Sequence, residues 1–183
     1  RLGFNLNYVL GGVLYHCKRL ALEYARSCEQ FRWMNSPEKA SDRVTWGQDE
    51  PYYEFEALAT AAVRFYDATR FILWKAFGPC SGSTPSSFER TLRRSTGVPP
   101  ELATRLTASW DKFGKKAKQY RDCVVHYTPI GGLSAQGHMI NLEHETWSML
   151  CRIPDNPEER SQGKFRYDQD LDALTYGWEL TTE

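Results

Sequence analysis

One long apolar seam constrains the fold of this chain more than any other feature of its sequence. Apolar side chains recur every three or four positions from residue 102 onward, at Leu102, Leu106, Trp110, Phe113, Ala117, Tyr120 and Val124. This spacing places all of them on one face of an α-helix of about six turns. Pro99 and Pro100 mark its start. Pro129 requires an end by Thr128, because a proline disfavours α geometry in the residue before it.

Two more amphipathic helices are predicted ahead of this one. The first begins at Val13 and ends near Pro37, with apolar residues at Leu14, Cys17, Ala21, Tyr24, Cys28 and Phe31. The second begins near Pro51, whose fixed φ suits a first helical turn, and ends at Gly78. The polar segment 36–50 between them predicts a loop.

Three short segments have the pattern of β-strands. Apolar and polar residues alternate over residues 4–10, before the break at Gly11 and Gly12. Residues 138–142 and 146–153 indicate two more strands. The pattern leaves open whether these two pair with each other or with the N-terminal strand.

The predicted fold class is therefore mainly α, an antiparallel helical bundle with a small C-terminal β appendage. The appendage covers about residues 138–153, and a final helix, capped by Asp170, covers about residues 170–183. A length of 183 residues lies within the usual size of one domain. We therefore predict a single domain of residues 1–183.

Charge and cysteine usage narrow the classes of function. The 23 basic and 23 acidic residues cancel, which argues against a protein that coats nucleic acid without specificity. Between residues 102 and 121, however, Asp111 stands alone against Arg105, Lys112, Lys115, Lys116, Lys118 and Arg121. The five scattered cysteines are typical of reduced thiols, so a cytoplasmic location is predicted. No long apolar run is present, and no membrane partner is expected.

Missing motifs exclude several chemistries. The sequence has no G-x-x-x-x-G-K-[ST] or G-x-G-x-x-G phosphate loop, no E-x-x-H motif and no G-x-S-x-G elbow. His138 and His144 flank Glu143, but two histidines without a third ligand are too few for a metal site. His16 is interpreted as a structural histidine. We predict neither a metal nor a cofactor.

One segment at the end of the seam concentrates polar residues that could do chemistry. Arg121-Asp122-Cys123-Val124-Val125-His126 occupies the last turns of the predicted helix. Arg121 and His126 lie about 140° apart around an ideal helix, so they converge only if the guanidinium swings back or the last turn frays. Asp122 precedes His126 by four residues, where a carboxylate favours the imidazolium and orients the ring.

This combination suits cleavage of RNA without a metal. A histidine can accept the proton of a ribose 2′-OH, and an arginine can stabilise charge on the scissile phosphate. Lys115 and Lys118 can hold flanking phosphates, and an exposed Tyr120 or Tyr127 can stack on a base. One histidine serves poorly as both base and acid, which favours two copies meeting across a twofold axis.

A structural interpretation of the same residues stays open. A histidine and lysines near a helix C-terminus also stabilise the helix dipole. An arginine followed by a histidine at such a spacing arises about once by chance in a chain of this composition.

The segment Tyr-Arg-Asp-Cys-Val-Val-His-Tyr at residues 120–127 closes a long helix of a bundle. In this it resembles the signature of the HEPN superfamily, which has an arginine, a polar residue, a few further positions and a histidine. The β appendage is similar to that of HEPN variants with a small β insertion. The resemblance implies an obligate homodimer in which Arg121 and His126 of both copies line one cleft. Asp122 would be the polar residue of the motif, and we count it with Arg121 and His126 as a candidate catalytic residue.

The activity implied by the resemblance is that of a metal-independent endoribonuclease, often a toxin or an antiviral effector. RNA, a second copy of the chain, and an antitoxin or a defence complex are the partners it implies. Some HEPN-like domains are non-catalytic. The alternative function is therefore a helical dimerisation or RNA/protein-binding module.

Overall fold

A computed structural model describes residues 2–34, 43–46, 49–79, 82–131, 137–143 and 146–182. The helices are α1 (Leu2–Met34), α2 (Glu50–Phe77), α3 (Phe88–Arg94), α4 (Pro100–Ser109), α5 (Lys115–His126) and α6 (Ala173–Thr182). The strands are β1 (Arg43–Trp46), β2 (Gly137–Glu143) and β3 (Thr146–Leu150), and short 3-10 turns cover Pro157–Glu159 and Gln162–Lys164. The predicted fold class is confirmed, since the described chain is mainly helical with a small β appendage.

The apolar seam forms one continuous helix from Pro100 to His126, in which a π-helical segment, Trp110–Gly114, joins α4 to α5. The middle of the seam is buried, at Trp110, Phe113, Ala117 and Tyr120. Its N-terminal end differs, because Leu102 is exposed. The prediction of a long helix with a buried face is therefore confirmed for its central turns.

The π-helical segment depends on a glycine. The N–H of Lys115 bonds to the carbonyl of Trp110, five residues back, as in a π-helix. A Cβ at Gly114 would lie 2.2 Å from the Trp110 ring, so any larger residue would displace the indole.

Helix α2 is the centre of the bundle and packs against α1, α3, α5 and α6. Its Phe55 meets the Tyr120 ring of α5 edge-on, with 5.1 Å between ring centroids. Further along α2, Tyr66 meets Trp110 in the same manner at 5.2 Å. Residue numbers rise along α2 as they fall along the seam, so the two helices are antiparallel. Pro51 in the first turn and Gly78 as the C-cap confirm the predicted bounds of α2.

The strand predicted for residues 4–10 is wrong, because α1 runs without a break from Leu2 to Met34. Gly11 and Gly12 lie inside this helix with open space around them. Each weakens the helix by about 1 kcal/mol relative to alanine but does not end it. The burial of α1 side chains such as Leu20 against the core outweighs this cost.

The three strands form one antiparallel sheet in the order β1–β2–β3. Ile140 of β2 lies opposite Ser148 of β3, which confirms that both predicted C-terminal strands exist and shows that they pair with each other. The second ends at Leu150, three residues earlier than predicted. Val44 of β1 lies opposite Met139 on the other edge of β2. The loop predicted for residues 36–50 is therefore wrong at β1, because a strand of four residues is too short to show a period.

The final helix is capped by Asp172 rather than by the predicted Asp170. One Asp172 carboxylate oxygen accepts the N–H of Thr175 at 2.9 Å. The other accepts the Tyr24 hydroxyl at 2.5 Å and the N–H of Cys151 at 2.9 Å. Asp170 instead adopts a positive φ of 46° in the preceding turn. The cap therefore also ties α6 to α1 and to the residue after β3.

We predict that Phe55→Ala lowers the free energy of unfolding by about 3–5 kcal/mol, because it removes a fully buried ring from the contact between α2 and α5. Phe71→Ala, at a half-exposed position of the same helix, should cost less than about 1 kcal/mol. Urea unfolding followed by circular dichroism measures both. Equal losses would contradict the central place of Phe55 in the core.

Candidate functional site

The last turn of α5 is fixed by its own backbone and by α2. Tyr127 and Thr128 both donate their N–H groups to the carbonyl of Cys123, at 2.9 and 3.0 Å. Beyond this turn, the N–H of Ile130 donates to the Glu56 carboxylate of α2 at 2.7 Å. The end of α5 is therefore held at a defined position on the bundle.

Arg121 lies on the side of α5 that faces α3. Its side chain is 27% exposed, and its Nε lies 3.0 Å from Asp122 Oδ1. That N–H has no acceptor at hydrogen-bonding angles, so the contact is an ion pair without an aligned hydrogen bond. Arg121 lines a cleft of about 420 Å³ between α2, α3 and α5, to which Asp67, Arg70 and Lys118 also contribute.

His126 is exposed at the C-terminal end of α5. Its ring packs edge-on against Tyr127, with 6.1 Å between centroids, and it does not line the cleft that contains Arg121. Within one copy of the chain, the structure therefore does not bring Arg121 and His126 into one cleft. The angular separation of the two residues around the helix is the physical reason.

Asp122 does not have the contact expected from its spacing. Its carboxylate lies against Arg121 and Lys118, and no described contact joins it to His126. The cation one turn earlier, on the same face of the helix, offers a stronger partner than an exposed imidazole. The structure thus places Asp122 with the two cations and leaves the histidine without a carboxylate of its own in the described chain.

Tyr120 is fully buried, so the prediction that it could stack on a base is wrong. The other residues predicted to bind RNA are exposed but already have protein partners. Lys115 forms ion pairs with Asp111 at 2.7 Å and with Glu89 at 3.3 Å. Lys118 is paired with Asp122. The hydroxyl of Tyr127 accepts a hydrogen bond from Arg160 Nη1 at 2.7 Å, and the same guanidinium stacks on the Tyr127 ring at 4.7 Å.

The positive charge of the basic residues in segment 102–121 is therefore partly neutralised in the folded chain. Lys116 is half-buried and donates to the carbonyl of Asp155, and this burial lowers its pKa. Together with the pairs of Lys115 and Lys118, this leaves less free positive charge on the helix than the linear sequence indicates.

A second group of polar residues, on α1 and α2, was not predicted from the sequence. His16 Nδ1 lies 3.0 Å from Glu54 Oε2, and Arg19 Nε lies 3.5 Å from the other oxygen of Glu54. Arg64 of α2 is exposed and lines two clefts between α1 and α2 together with His16. Nothing in the sequence signalled this group, because His16 and Glu54 are 38 positions apart on different helices.

Metal ligation has no support in the part of the chain that the structure describes. No group of three or more histidine, cysteine, aspartate or glutamate side chains there could hold an ion. His144 lies outside the described residues, and the side chain of His138 is not described, so the pair flanking Glu143 stays untested.

No protein-family model matches the chain, and neither a protein of curated function nor a solved structure matches it. None of the described helices combines the length and the apolar character needed to cross a bilayer.

The Glu56 carboxylate, which joins α2 to the segment after α5, has a raised pKa. Burial raises the pKa of Glu56, while the N–H groups of Ile130 and Gly131 lower it, and the desolvation caused by burial is the larger effect. The raised pKa means that the folded state favours the protonated form.

We predict that Glu56→Gln changes stability in a pH-dependent way. The wild-type chain gains stability as Glu56 becomes protonated below its folded pKa, and it loses that gain as the pH rises through this pKa. The variant should therefore be more stable relative to the wild type at pH 7 than at pH 4. Urea unfolding at both pH values measures the difference. Glu101→Gln, at an exposed site, controls for the loss of one charge, and an advantage of Glu56→Gln that grows toward pH 4 would refute the prediction.

Proposed function

We propose that the chain is a metal-independent endoribonuclease of HEPN type that acts as a homodimer, with Arg121 and His126 of both copies in a composite site. The observation that carries this proposal is the exposure of His126 on a fixed helix end, while Arg121 lies five residues earlier on another side of the helix. Such a pair is incomplete in one copy, and a second copy supplies what is missing.

The proposed reaction transfers protons between two imidazoles. The neutral His126 of one copy accepts the proton of the ribose 2′-OH, and the 2′-oxygen attacks the phosphorus. The 5′-oxygen leaves and takes a proton from the imidazolium of the other copy's His126. The products are a 2′,3′-cyclic phosphate and a 5′-hydroxyl, and the charge that develops on the phosphate is stabilised by Arg121.

Asp122 and Lys118 have a supporting part in this proposal. The ion pair with Asp122 holds the guanidinium of Arg121 near its cleft and leaves donors for the phosphate. Lys115, Lys118 and Tyr127 contact RNA after exchanging their present partners. A toxin or an antiviral effector controlled by an antitoxin or a defence complex is the biological setting that fits such a nuclease.

The second candidate function is a non-catalytic dimerisation or RNA/protein-binding module. The observation that favours it is that Lys115, Lys118 and Tyr127, the residues predicted to bind RNA, are each paired with another protein group. Under this function, His126 and the nearby cations stabilise the C-terminal end of α5.

We predict that the purified chain cleaves single-stranded RNA in EDTA and leaves 2′,3′-cyclic phosphate ends. His126→Ala and Arg121→Ala should each lower the rate about 100-fold or more, because they remove the base and the phosphate-stabilising cation. Arg93→Ala, at an exposed arginine of α3, is the matched control. Labelled RNA and end-group analysis measure cleavage, and sedimentation velocity shows whether each variant dimerises. Cleavage by both variants at the wild-type rate would exclude the proposed site. If the wild-type chain cleaves none of the RNAs tried, the binding module is favoured instead.

Asp122→Asn tests whether Asp122 only pairs with Arg121 and Lys118 or also orients the His126 imidazole. The carboxylate contacts Arg121 and Lys118 rather than His126, so we expect less than about a fivefold change in the rate of cleavage, the scale of a partly exposed ion pair. A loss as large as that of His126→Ala would instead show that Asp122 orients the imidazole. The same labelled RNA assay measures the rate.

A further inference from the structure

A continuous groove runs between α1 and α2 on one face of the bundle. Three adjoining clefts of about 570, 440 and 370 Å³ form it. The first two share Tyr8, Val9 and Arg64, and the last two share His16, Ala61 and Arg64. From Asn5 to His16 the groove follows α1 for about 16 Å, which is long enough for a few extended nucleotides.

Arg64 is the central charge of this groove and lines all three clefts. It is exposed and makes no hydrogen bond or ion pair with the described residues. The neighbouring acids are engaged elsewhere, since Asp67 pairs with Arg70 and Glu56 accepts the N–H of Ile130. Arg64 is therefore a cation available for an anionic ligand.

His16 lines the two clefts that share Ala61, and Glu54 holds its ring in place. Its Nδ1 lies 3.0 Å from Glu54 Oε2, and because a carboxylate accepts, Nδ1 is the donor of this bond. A ribose 2′-OH both donates and accepts hydrogen bonds, so it suits Nε2 next to a phosphate held by Arg64.

Exposed aromatic rings border the same groove. Tyr8 is 70% exposed, Tyr15 is 59% exposed and Tyr53 is 62% exposed. A tyrosine face presented to solvent beside a cation is the usual platform on which unpaired bases stack. Gly11 and Gly12 leave the backbone of α1 open beside Tyr8 and Tyr15, because no atom lies within 4 Å of a Cβ added at either.

We propose that this groove binds single-stranded RNA, with Arg64 on a phosphate, His16 Nε2 on a ribose 2′-OH and the exposed tyrosines against bases. The inference rests on the proposed function for the nature of the ligand. The groove also leads toward the candidate site, because Val124 of α5 lines its last cleft three residues after Arg121 and two before His126. A strand in the groove thus runs toward the end of α5.

A second copy of the chain fits the groove less well than RNA. A twofold axis through the middle of the groove would bring two unpaired Arg64 guanidinium groups together, and like charges at close range oppose association. A phosphodiester chain supplies the opposite charge at regular intervals.

The test is fluorescence anisotropy with a labelled single-stranded RNA of about 10 nucleotides, and with DNA of the same sequence, in EDTA. The protein carries His126→Ala throughout, so that the probe stays intact. Arg64→Ala should weaken binding of RNA about tenfold, and Tyr53→Ala about fivefold. Arg93→Ala and Trp178→Ala, at exposed positions of α3 and α6, are matched controls and should leave the affinity unchanged.

The DNA probe tests His16. We expect the parent protein to bind RNA more tightly than DNA, and His16→Gln to reduce that preference while Glu54 keeps a hydrogen-bonding partner. Unchanged affinity in Arg64→Ala and Tyr53→Ala, or the absence of saturable RNA binding, would overturn the proposal. The proposal would also be overturned if Tyr53→Ala dissociated a dimer and left the affinity for RNA unchanged, because the groove would then be an interface between copies.

The outcomes separate this inference from the proposed nuclease. If Arg64→Ala cleaves RNA at the wild-type rate and binds it with the wild-type affinity, the RNA-binding groove is refuted and the proposed nuclease is not. If the chain cleaves no RNA but binds it in a way that depends on Arg64, the RNA-binding groove is supported and the proposed nuclease is refuted.

Discussion

The edge-on contact between Phe55 of α2 and Tyr120 of α5 is the interaction on which the rest of the structure depends. Both rings are fully buried, and they hold two long helices side by side in opposite directions. The Tyr120 hydroxyl donates to the carbonyl of Pro154 at 2.8 Å, so the same side chain fixes the C-terminal segment to the bundle. Burial raises the pKa of Tyr120, which keeps the hydroxyl a neutral donor.

The position of the candidate site follows from this packing. Since α5 is held along α2, the segment after α5 reaches α2 and Ile130 donates its N–H to the Glu56 carboxylate, while His126 is left in solvent at the end of the helix. Helix α1 packs on another side of α2, and the two helices leave a groove between them with Arg64 at its centre. Two regions with polar side chains thus lie beside the helices that pack on α2, and Val124, two residues before His126, lines the last cleft of the groove.

Strong periodicity explains which elements could be predicted. The helix closed by Pro129 and the helix between Pro51 and Gly78 carry long apolar stripes and clear boundary residues, and both are confirmed. The alternation over residues 4–10 is short, and the packing of α1 overrides it. β1 consists of four residues whose partner on β2 is more than 90 positions away, so only the register of Val44 with Met139 reveals it.

The sequence by itself determined the helical class, the end of α5 and the residues gathered there, because local spacing and the geometry of proline act within a few positions. Tertiary structure decided which charges remain free. Lys115 and Lys118 look available in the sequence but are paired, whereas His16 and Arg64 look unremarkable and line the same groove. The physical reason is that ion pairing and desolvation depend on distances between side chains of different helices, and those distances are set by core packing.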